Sequence, residues 1–274
     1  MPELPEVETI CKGLEPVIVQ QKISKIMVSQ DQLRWPVPVS RLKSLAEGQK
    51  IIAIQRRAKY IIWNMENGAN VVIHLGMSGR LGCFPADAPV EKHTHVVFQL
   101  QDACQIRYRD PRRFGFLDIT SSDEFERYVR FRHLGVEPLS KDFNANYLYK
   151  HTAGSKRAIK NVLMDAKVVV GVGNIYANEA LFKAGLAPHR PGVAISKKEC
   201  ESITSGTKIV LEQAIKRGGT TLNDFQNPQG AAGFFQLDLA VYGRSGDSCK
   251  VCGSTIEKII LTGRSSFYCP NCQH

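Results

Sequence analysis

Long apolar stretches are missing from this chain of 274 residues. No uninterrupted apolar run approaches the ~20 residues that a helix needs to span a bilayer. The N-terminus is acidic and lacks the charged-then-apolar segment that directs secretion, and no internal repeat or low-complexity segment is visible. We therefore expect a cytoplasmic protein without a membrane-spanning segment.

A disulfide framework is missing as well. Four of the eight cysteines are scattered at irregular spacings, which is typical of a protein from a reducing compartment. These four are Cys11, Cys83, Cys104 and Cys200. Because 43% of the residues are hydrophobic, the chain can fill one large core or two ordinary ones, which excludes a disordered chain.

Basic residues outnumber acidic ones, giving a formal net charge of +10 and a pI near 9.2. A positive field of this kind attracts polyanions, and nucleic acid is the leading candidate. Ribosome-associated proteins and RNA enzymes share this charge. The charge therefore indicates a partner only where sequence motifs agree with it.

The remaining four cysteines form two C-x2-C pairs separated by 16 residues, and they are Cys249, Cys252, Cys269 and Cys272. This spacing is typical of a tetrahedral zinc site and less typical of a redox pair. Between the pairs, residues 255–261 and 266–268 are predicted strands around a turn at 262–265. That arrangement puts Arg264 at the tip of a zinc-stapled hairpin.

Apolar residues at helical spacing mark the N-terminal segment. Val7, Ile10, Cys11 and Leu14 follow the i, i+3, i+4, i+7 pattern, which predicts a helix from residue 3 to about 15 with one buried face. From residue 22 to 117 the pattern changes to short β-rich runs separated by turns, which suggests a β-sandwich. The runs include 51–54, 60–63, 71–74, 95–100 and 105–108.

Helical sequence follows a polar and aromatic stretch at about 131–146, where we place a domain boundary. Three helices are predicted, over residues 156–165, over 174–183, and from 197 to the glycines at 218–219. Asn174 is the expected N-cap of the second helix and Gly185 its stop. Ser196 and Glu199 have the spacing of a capping box at the start of the third.

A proline follows the initiator methionine. Removal of Met1 would leave the secondary amine of Pro2 as the N-terminus, and such an amine attacks an aldehyde-like carbon to form an iminium. At the start of a helix, the positive end of the macrodipole lowers the pKa of this amine. Glu3 and Glu6 lie close enough in sequence to transfer protons. Taken singly, proline and glutamate are also common at helix starts for structural reasons.

Five motifs and the zinc hairpin together resemble one enzyme family along the whole chain. The motifs are MPELPEVE at 1–8, QRRAKY at 55–60, HLGMSG at 74–79, DPRRFG at 110–115 and VGVGNIY at 170–176. They resemble the bacterial formamidopyrimidine-DNA glycosylases, which excise oxidised purines such as 8-oxoguanine. The resemblance implies base excision repair of damaged double-stranded DNA, with one structural zinc ion per chain.

The resemblance also implies a role for each catalytic residue. Pro2 attacks the deoxyribose C1′ while Glu3 assists as acid or base, and the covalent iminium then makes the adjacent sugar proton acidic. Lys59 is implied in the β-elimination that follows and Arg264 in the δ-elimination. Glu6 completes the predicted catalytic set.

Extrusion of the damaged nucleotide leaves a hole in the duplex that side chains must fill. The resemblance gives this void-filling role to Met77 and Phe114, and the reading of the orphaned base to Arg112. It also makes His93 a DNA contact. Without the resemblance, these residues would be interpreted as core or ordinary surface groups.

The turn before Asn174, together with the Asn174 amide, is predicted to hold a DNA phosphate at the positive end of the following helix. Lys156 and Lys160, on the helix before that turn, and Arg264 are predicted to complete a phosphate clamp. Residues 220–239 are rich in Gly, Asn and Gln, and we interpret them as a lid over the flipped base or as a plain connection.

The predicted fold class is α+β. An N-terminal helix and β-sandwich form a catalytic domain at 1–134, a helix-two-turn-helix DNA-binding domain with the lid follows at 135–239, and the zinc-bound hairpin occupies 240–274. We expect a monomer.

Two alternatives stay open at this point. An endonuclease VIII-like glycosylase would use the same proline chemistry on oxidised pyrimidines, although Met77, Arg112 and Phe114 favour the purine branch. A non-enzymatic zinc-ribbon protein would bind distorted DNA and would need neither a free Pro2 amine nor Glu3.

Overall fold

The computed structural model describes residues 2–101, 104–125, 127–218 and 239–274. The predicted lid at 220–239 lies outside these ranges except for Leu239. The described chain divides into two compact units, one of residues 2–132 and one of 133–217 with the residues from 239 onward. Over the described ranges, none of the helices combines the length and the apolar character needed to cross a membrane.

The first unit begins with helix α1 (Leu4–Ile18), close to the predicted span. Its apolar face is buried as predicted, and Val7 and Leu14 are completely inaccessible to solvent. The helix starts at a capping box formed by Glu3 and Glu6, so the acidic residues offset the positive end of the helix.

Eight strands and two short helices follow α1 in the first unit. The strands are β1 (Ile23–Val28), β2 (Ile51–Arg57), β3 (Tyr60–Met65), β4 (Asn70–His74), β5 (Arg80–Pro85), β6 (Thr94–Leu100), β7 (Cys104–Arg109) and β8 (Phe116–Thr120), and the helices are α2 (Val39–Ala46) and α3 (Ser122–Phe125). They form two four-stranded antiparallel sheets, in the orders β1-β6-β7-β5 and β2-β3-β4-β8.

One hydrophobic core joins both sheets and α1, which confirms the predicted sandwich. Trp63 on β3 meets Phe98 on β6 edge to face, with ring centroids 4.9 Å apart. The five predicted β-runs all fall within strands, namely β2, β3, β4, β6 and β7. Strands β1, β5 and β8 lie outside these five runs, and in β5 the residues Gly82 and Pro85 explain why the sequence does not resemble a strand.

The second unit contains α4 (Ala145–Thr152), α5 (Ile159–Leu163), α6 (Asn174–Ala184) and α7 (Lys197–Lys216). The capping box of Ser196 and Glu199 is confirmed at the start of α7. Gly185 ends α6 with φ of 74°, as predicted. The predicted N-cap is wrong by one residue, because Gly173 caps α6 and Asn174 is its first helical residue.

Strands β9 (Glu257–Leu261) and β10 (Arg264–Tyr268) form the C-terminal hairpin. The turn is two residues long instead of four, since Thr262 and Gly263 both have positive φ, at 49° and 73°. Two left-handed residues match the twist of a tight hairpin. Arg264 consequently opens β10 opposite Leu261, directly after the tip.

Candidate functional site

The start of α1 holds Pro2 in a defined place. The Glu3 backbone N–H donates a hydrogen bond of 2.8 Å to a carboxylate oxygen of Glu6, and both glutamates are almost fully buried. Pro2 itself is half-buried. Glu6 therefore fixes the backbone next to Pro2, while Glu3 is the acidic side chain closest to it along the chain.

Lys59 lies in the two-residue turn between β2 and β3, where Ala58 has φ of 54°. The Arg56 guanidinium stabilises this turn from two sides. Its Nε donates to the Glu8 carboxylate of α1 at 2.7 Å, and its Nη1 donates to the Ala58 carbonyl at 3.0 Å. The ion pair thus ties the Lys59 turn to the first helix.

His74, at the end of β4, was not singled out from the sequence. Burial, followed by the charges of Lys59, Arg34 and Arg130, lowers its pKa to about 4. The Gly76 N–H donates to its Nδ1 at 3.0 Å, so the neutral ring carries its proton on Nε2. His74 is therefore a neutral hydrogen-bond donor in the electrostatic neighbourhood of Lys59, and its place in the HLGMSG motif was the available signal.

Two loops at one end of the sandwich carry the predicted void-filling residues. Met77 lies between β4 and β5, and Arg112 and Phe114 lie between β7 and β8. Met77 and Phe114 are 45% and 43% exposed, which is high for apolar side chains. They border an open cavity of about 770 Å³ that is lined by Gln32, Leu33, Arg34, His74, Gly76, Met77, Arg112, Arg113 and Phe114.

This cavity has a cationic and apolar lining. The Arg112 guanidinium lies 4.7 Å from the centre of the Phe114 ring, a cation–π contact that orients both side chains. The residues that line the cavity include arginines but no aspartate or glutamate. The combination of apolar wedges and positive charge is what stacked bases and phosphates require.

His93 stands beside the Arg112 loop, because its carbonyl accepts a hydrogen bond of 3.0 Å from the Asp110 N–H. Partial desolvation lowers its pKa, and the charges of Lys92 and Arg109 lower it further. Lys92 and this polar ring are suited to a phosphate oxygen, whereas Arg109 pairs with the Glu91 carboxylate at 3.1 Å.

In the second unit, Lys160 is not placed where a phosphate contact requires. It is completely buried, and its Nζ donates to the Ser265 carbonyl at 3.0 Å and to the Ser266 hydroxyl at 2.7 Å. An ammonium group is stable in such a place only when its protons are paired. Lys160 holds strand β10, whereas Lys156 is exposed as the prediction requires.

Asn174 also contacts the hairpin. Its Nδ2 donates to the same Ser265 carbonyl at 3.0 Å, which uses one of the two amide protons, so contact of the other proton with a phosphate stays a prediction. Two further asparagines hold the hairpin: Asn178 accepts from the Phe267 N–H at 2.8 Å, and Asn161 donates to the Thr262 hydroxyl at 2.7 Å. Arg264 itself is exposed on the strand that these residues hold.

The four C-terminal cysteines come together as predicted. Their sulfur atoms all lie within 4.8 Å of one another, with 3.9 Å between Cys249 and Cys272 and 3.5 Å between Cys252 and Cys269. A tetrahedral zinc ion with Zn–S bonds of about 2.3 Å requires sulfur separations of about 3.8 Å. The cluster therefore fits one structural zinc ion.

Comparison with known proteins agrees with this geometry. Three family models match: formamidopyrimidine-DNA glycosylase N-terminal domain at residues 1–117, formamidopyrimidine-DNA glycosylase H2TH domain at 134–226, and zinc finger found in FPG and IleRS at 246–274. A formamidopyrimidine-DNA glycosylase of Photorhabdus laumondii is 48% identical over 274 residues, covering 100% of both chains.

Solved structures are similar over the same length. A Lactococcus lactis FPG variant in complex with Fapy-dG-containing DNA has a TM-score of 0.91 and 32% identity, with 100% of both chains covered. Wild-type Lactococcus lactis FPG in complex with DNA containing an oxidised pyrimidine has a TM-score of 0.90 and 33% identity, again over 100% of both chains.

Proposed function

Because this chain belongs to the formamidopyrimidine-DNA glycosylase family, we propose that it is a bifunctional DNA glycosylase and AP lyase. It excises oxidised purines, 8-oxoguanine and formamidopyrimidines, and then cleaves the strand during base excision repair. The observation that carries this function is the fixed start of α1, where Pro2 adjoins the buried Glu3.

In the proposed reaction, the Pro2 amine forms a bond to C1′ of the damaged nucleotide. The glycosidic bond breaks, its electron pair leaves with the base, and the base takes up a proton. Glu3 carries the proton that the Pro2 nitrogen loses to the ring oxygen, so the sugar ring opens and an iminium remains. The iminium then makes the C2′ proton acidic, so the 3′ phosphate leaves by β-elimination and the 5′ phosphate by δ-elimination. We assign the first elimination to Lys59 and the second to Arg264.

Extrusion of the damaged base leaves a hole in the duplex and an orphaned base on the other strand, and we assign both to residues of the two loops in the first unit. We propose that Met77 and Phe114 occupy the vacated stack, that Arg112 hydrogen-bonds the orphaned base, and that His93 contacts the backbone. In the second unit, the proposed phosphate contacts are Lys156, Arg264 and the backbone N–H groups at the start of α6. The sulfur cluster holds zinc, which fixes the hairpin that carries Arg264.

Borohydride trapping tests this function, because it reduces the iminium and joins protein to DNA. The unmodified protein should cross-link to a duplex containing 8-oxoguanine. Pro2→Gly, or a tag that blocks the amine, should remove most of the product, whereas Lys25→Gln, an exposed change on β1, should not. Full cross-linking by the amine-blocked protein would refute the assignment of the nucleophile.

Substrate preference separates the purine function from its pyrimidine alternative. Single-turnover excision should be faster for 8-oxoguanine than for an oxidised pyrimidine in the same sequence context. The reverse order would assign the protein to pyrimidine repair with the same chemistry.

We also propose that the protein acts as a monomer in the cytoplasm and that its three domains divide at residues 134 and 239.

A further inference from the structure

The Asp110 carboxylate lies beside the two loops that border the cavity and accepts three hydrogen bonds. Asp110 follows β7 and is completely buried. One carboxylate oxygen accepts from the Ser78 hydroxyl at 2.5 Å, and the other accepts from the Gly115 N–H at 2.8 Å and the Tyr108 hydroxyl at 3.3 Å. No catalytic step of the proposed reaction uses this carboxylate.

Ser78 extends this network to the Arg112 loop. Its hydroxyl donates to Asp110 and accepts from the Arg112 backbone N–H at 3.2 Å. Met77 is the residue immediately before Ser78, and Phe114 immediately precedes Gly115. A single carboxylate therefore connects the backbone positions of the two void-filling residues and of Arg112.

The two loops also touch backbone to backbone. A Cβ added at Gly76 would lie 2.4 Å from the Phe114 carbonyl carbon, and one added at Gly115 would lie 2.4 Å from the His74 carbonyl oxygen and 3.0 Å from the Leu75 carbonyl carbon. Glycine at both positions therefore lets the two loop backbones approach more closely than any side chain would allow. Contact and hydrogen bonds thus favour a single rigid arrangement.

We propose that Ser78 and Asp110 are positioning residues that hold Met77, Arg112 and Phe114 as one rigid unit. The proposal rests on the function assigned above. Its consequence is that reading of the orphaned base by Arg112 depends on the placement of Met77. If Ser78 lost its hydroxyl, Arg112 and Met77 would respond to DNA independently, although neither side chain had changed.

The test uses single-turnover excision of 8-oxoguanine opposite cytosine and opposite adenine. Ser78→Ala should reduce the ratio of the two rates by at least about twofold, the lower end of the range for a lost hydrogen bond. Ser78→Thr keeps the hydroxyl and should restore the ratio. Asp110→Asn should reduce it in the same direction. Ser24→Ala, which removes an exposed hydroxyl bonded to the Gln99 carbonyl at 3.1 Å, should leave it unchanged.

A double-mutant cycle provides the sharper readout. When Ser78 is present, the effect of the Met77→Ala and Arg112→Ala double variant on the rate ratio should differ by about twofold or more from the product of the two single effects. After Ser78→Ala the two effects should become additive. Loss of folded protein lowers the amount of active enzyme but leaves both single-turnover rates, and hence their ratio, unaffected.

The outcomes separate the inference from the function. If the unmodified protein excises 8-oxoguanine with a partner preference that Ser78→Ala leaves intact, the positioning role is overturned and the function stands. If the effects of Met77→Ala and Arg112→Ala remain non-additive after Ser78→Ala, the positioning role is likewise overturned and the function stands. If the unmodified protein fails to excise 8-oxoguanine opposite any base, the proposed function itself is overturned.

Discussion

Replacement of Lys160 by methionine removes a buried charge while keeping a side chain of similar length. The ammonium donates two hydrogen bonds to β10, each worth about 1.5–3 kcal/mol for a charged donor. Part of this stabilisation offsets the cost of burying the charge, so we expect Lys160→Met to lower the free energy of unfolding by about 2 kcal/mol. For a domain of this size, the loss corresponds to a Tm lower by roughly 4–8 °C.

The functional effect should be selective. Because Lys160 bonds to Ser265 and Ser266, next to Arg264, Lys160→Met should shift strand-cleavage products from δ- toward β-elimination, as resolved on a denaturing gel. Lys156→Met is the matched control, since this lysine is exposed. It should weaken DNA binding at low salt and leave both the Tm and the product ratio unchanged. An unchanged Tm together with an unchanged product ratio in Lys160→Met would refute the reasoning.

Three more predictions concern the base pocket, the metal and His74. Arg112→Ala should reduce the preference for cytosine opposite 8-oxoguanine by about 10- to 100-fold, as expected for the loss of one base contact. The same preference in the variant and the unmodified protein would contradict this. Cys269→Ser should release zinc and weaken DNA binding while the first unit stays folded by circular dichroism and urea unfolding; metal-free purified protein would exclude the site. The pKa of His74 is lowered from 6.5 to about 4 by folding, so between these values the unfolded chain binds a proton that the folded chain does not. The free energy of unfolding should therefore fall by about 2 kcal/mol from pH 7 to pH 5, and His74→Asn should reduce that loss.

Local spacing predicted the features that depend on neighbours in sequence. The buried face of α1, the capping box of Ser196 and Glu199 and the left-handed Gly185 all follow from contacts within a few residues. The zinc cluster belongs here too, because each C-x2-C pair supplies two ligands from one turn. Such features are visible in one chain because the partners are fixed by the covalent spacing.

Lys160 and Asn174 show where this reasoning ends. Lys160 is a cation and Asn174 lies at a helix start, and each feature favours a phosphate contact, yet both residues bond to Ser265, 105 and 91 residues further along the chain. The docking of the hairpin decides which side chains are covered. A lysine and an asparagine have the same sequence signature whether they bind a phosphate or a backbone carbonyl.

His74 illustrates the same limit for charge. In sequence it is the last residue of an apolar strand, and the neighbouring residues show neither its burial nor the charges around it. Its low pKa arises because Tyr60 and Phe116 flank it on neighbouring strands and because Lys59, Arg34 and Arg130 surround it with positive charge. These cations suit DNA binding, and their repulsion keeps His74 neutral. The positive charge that favours a polyanion thus also fixes this imidazole as a hydrogen-bond donor at neutral pH.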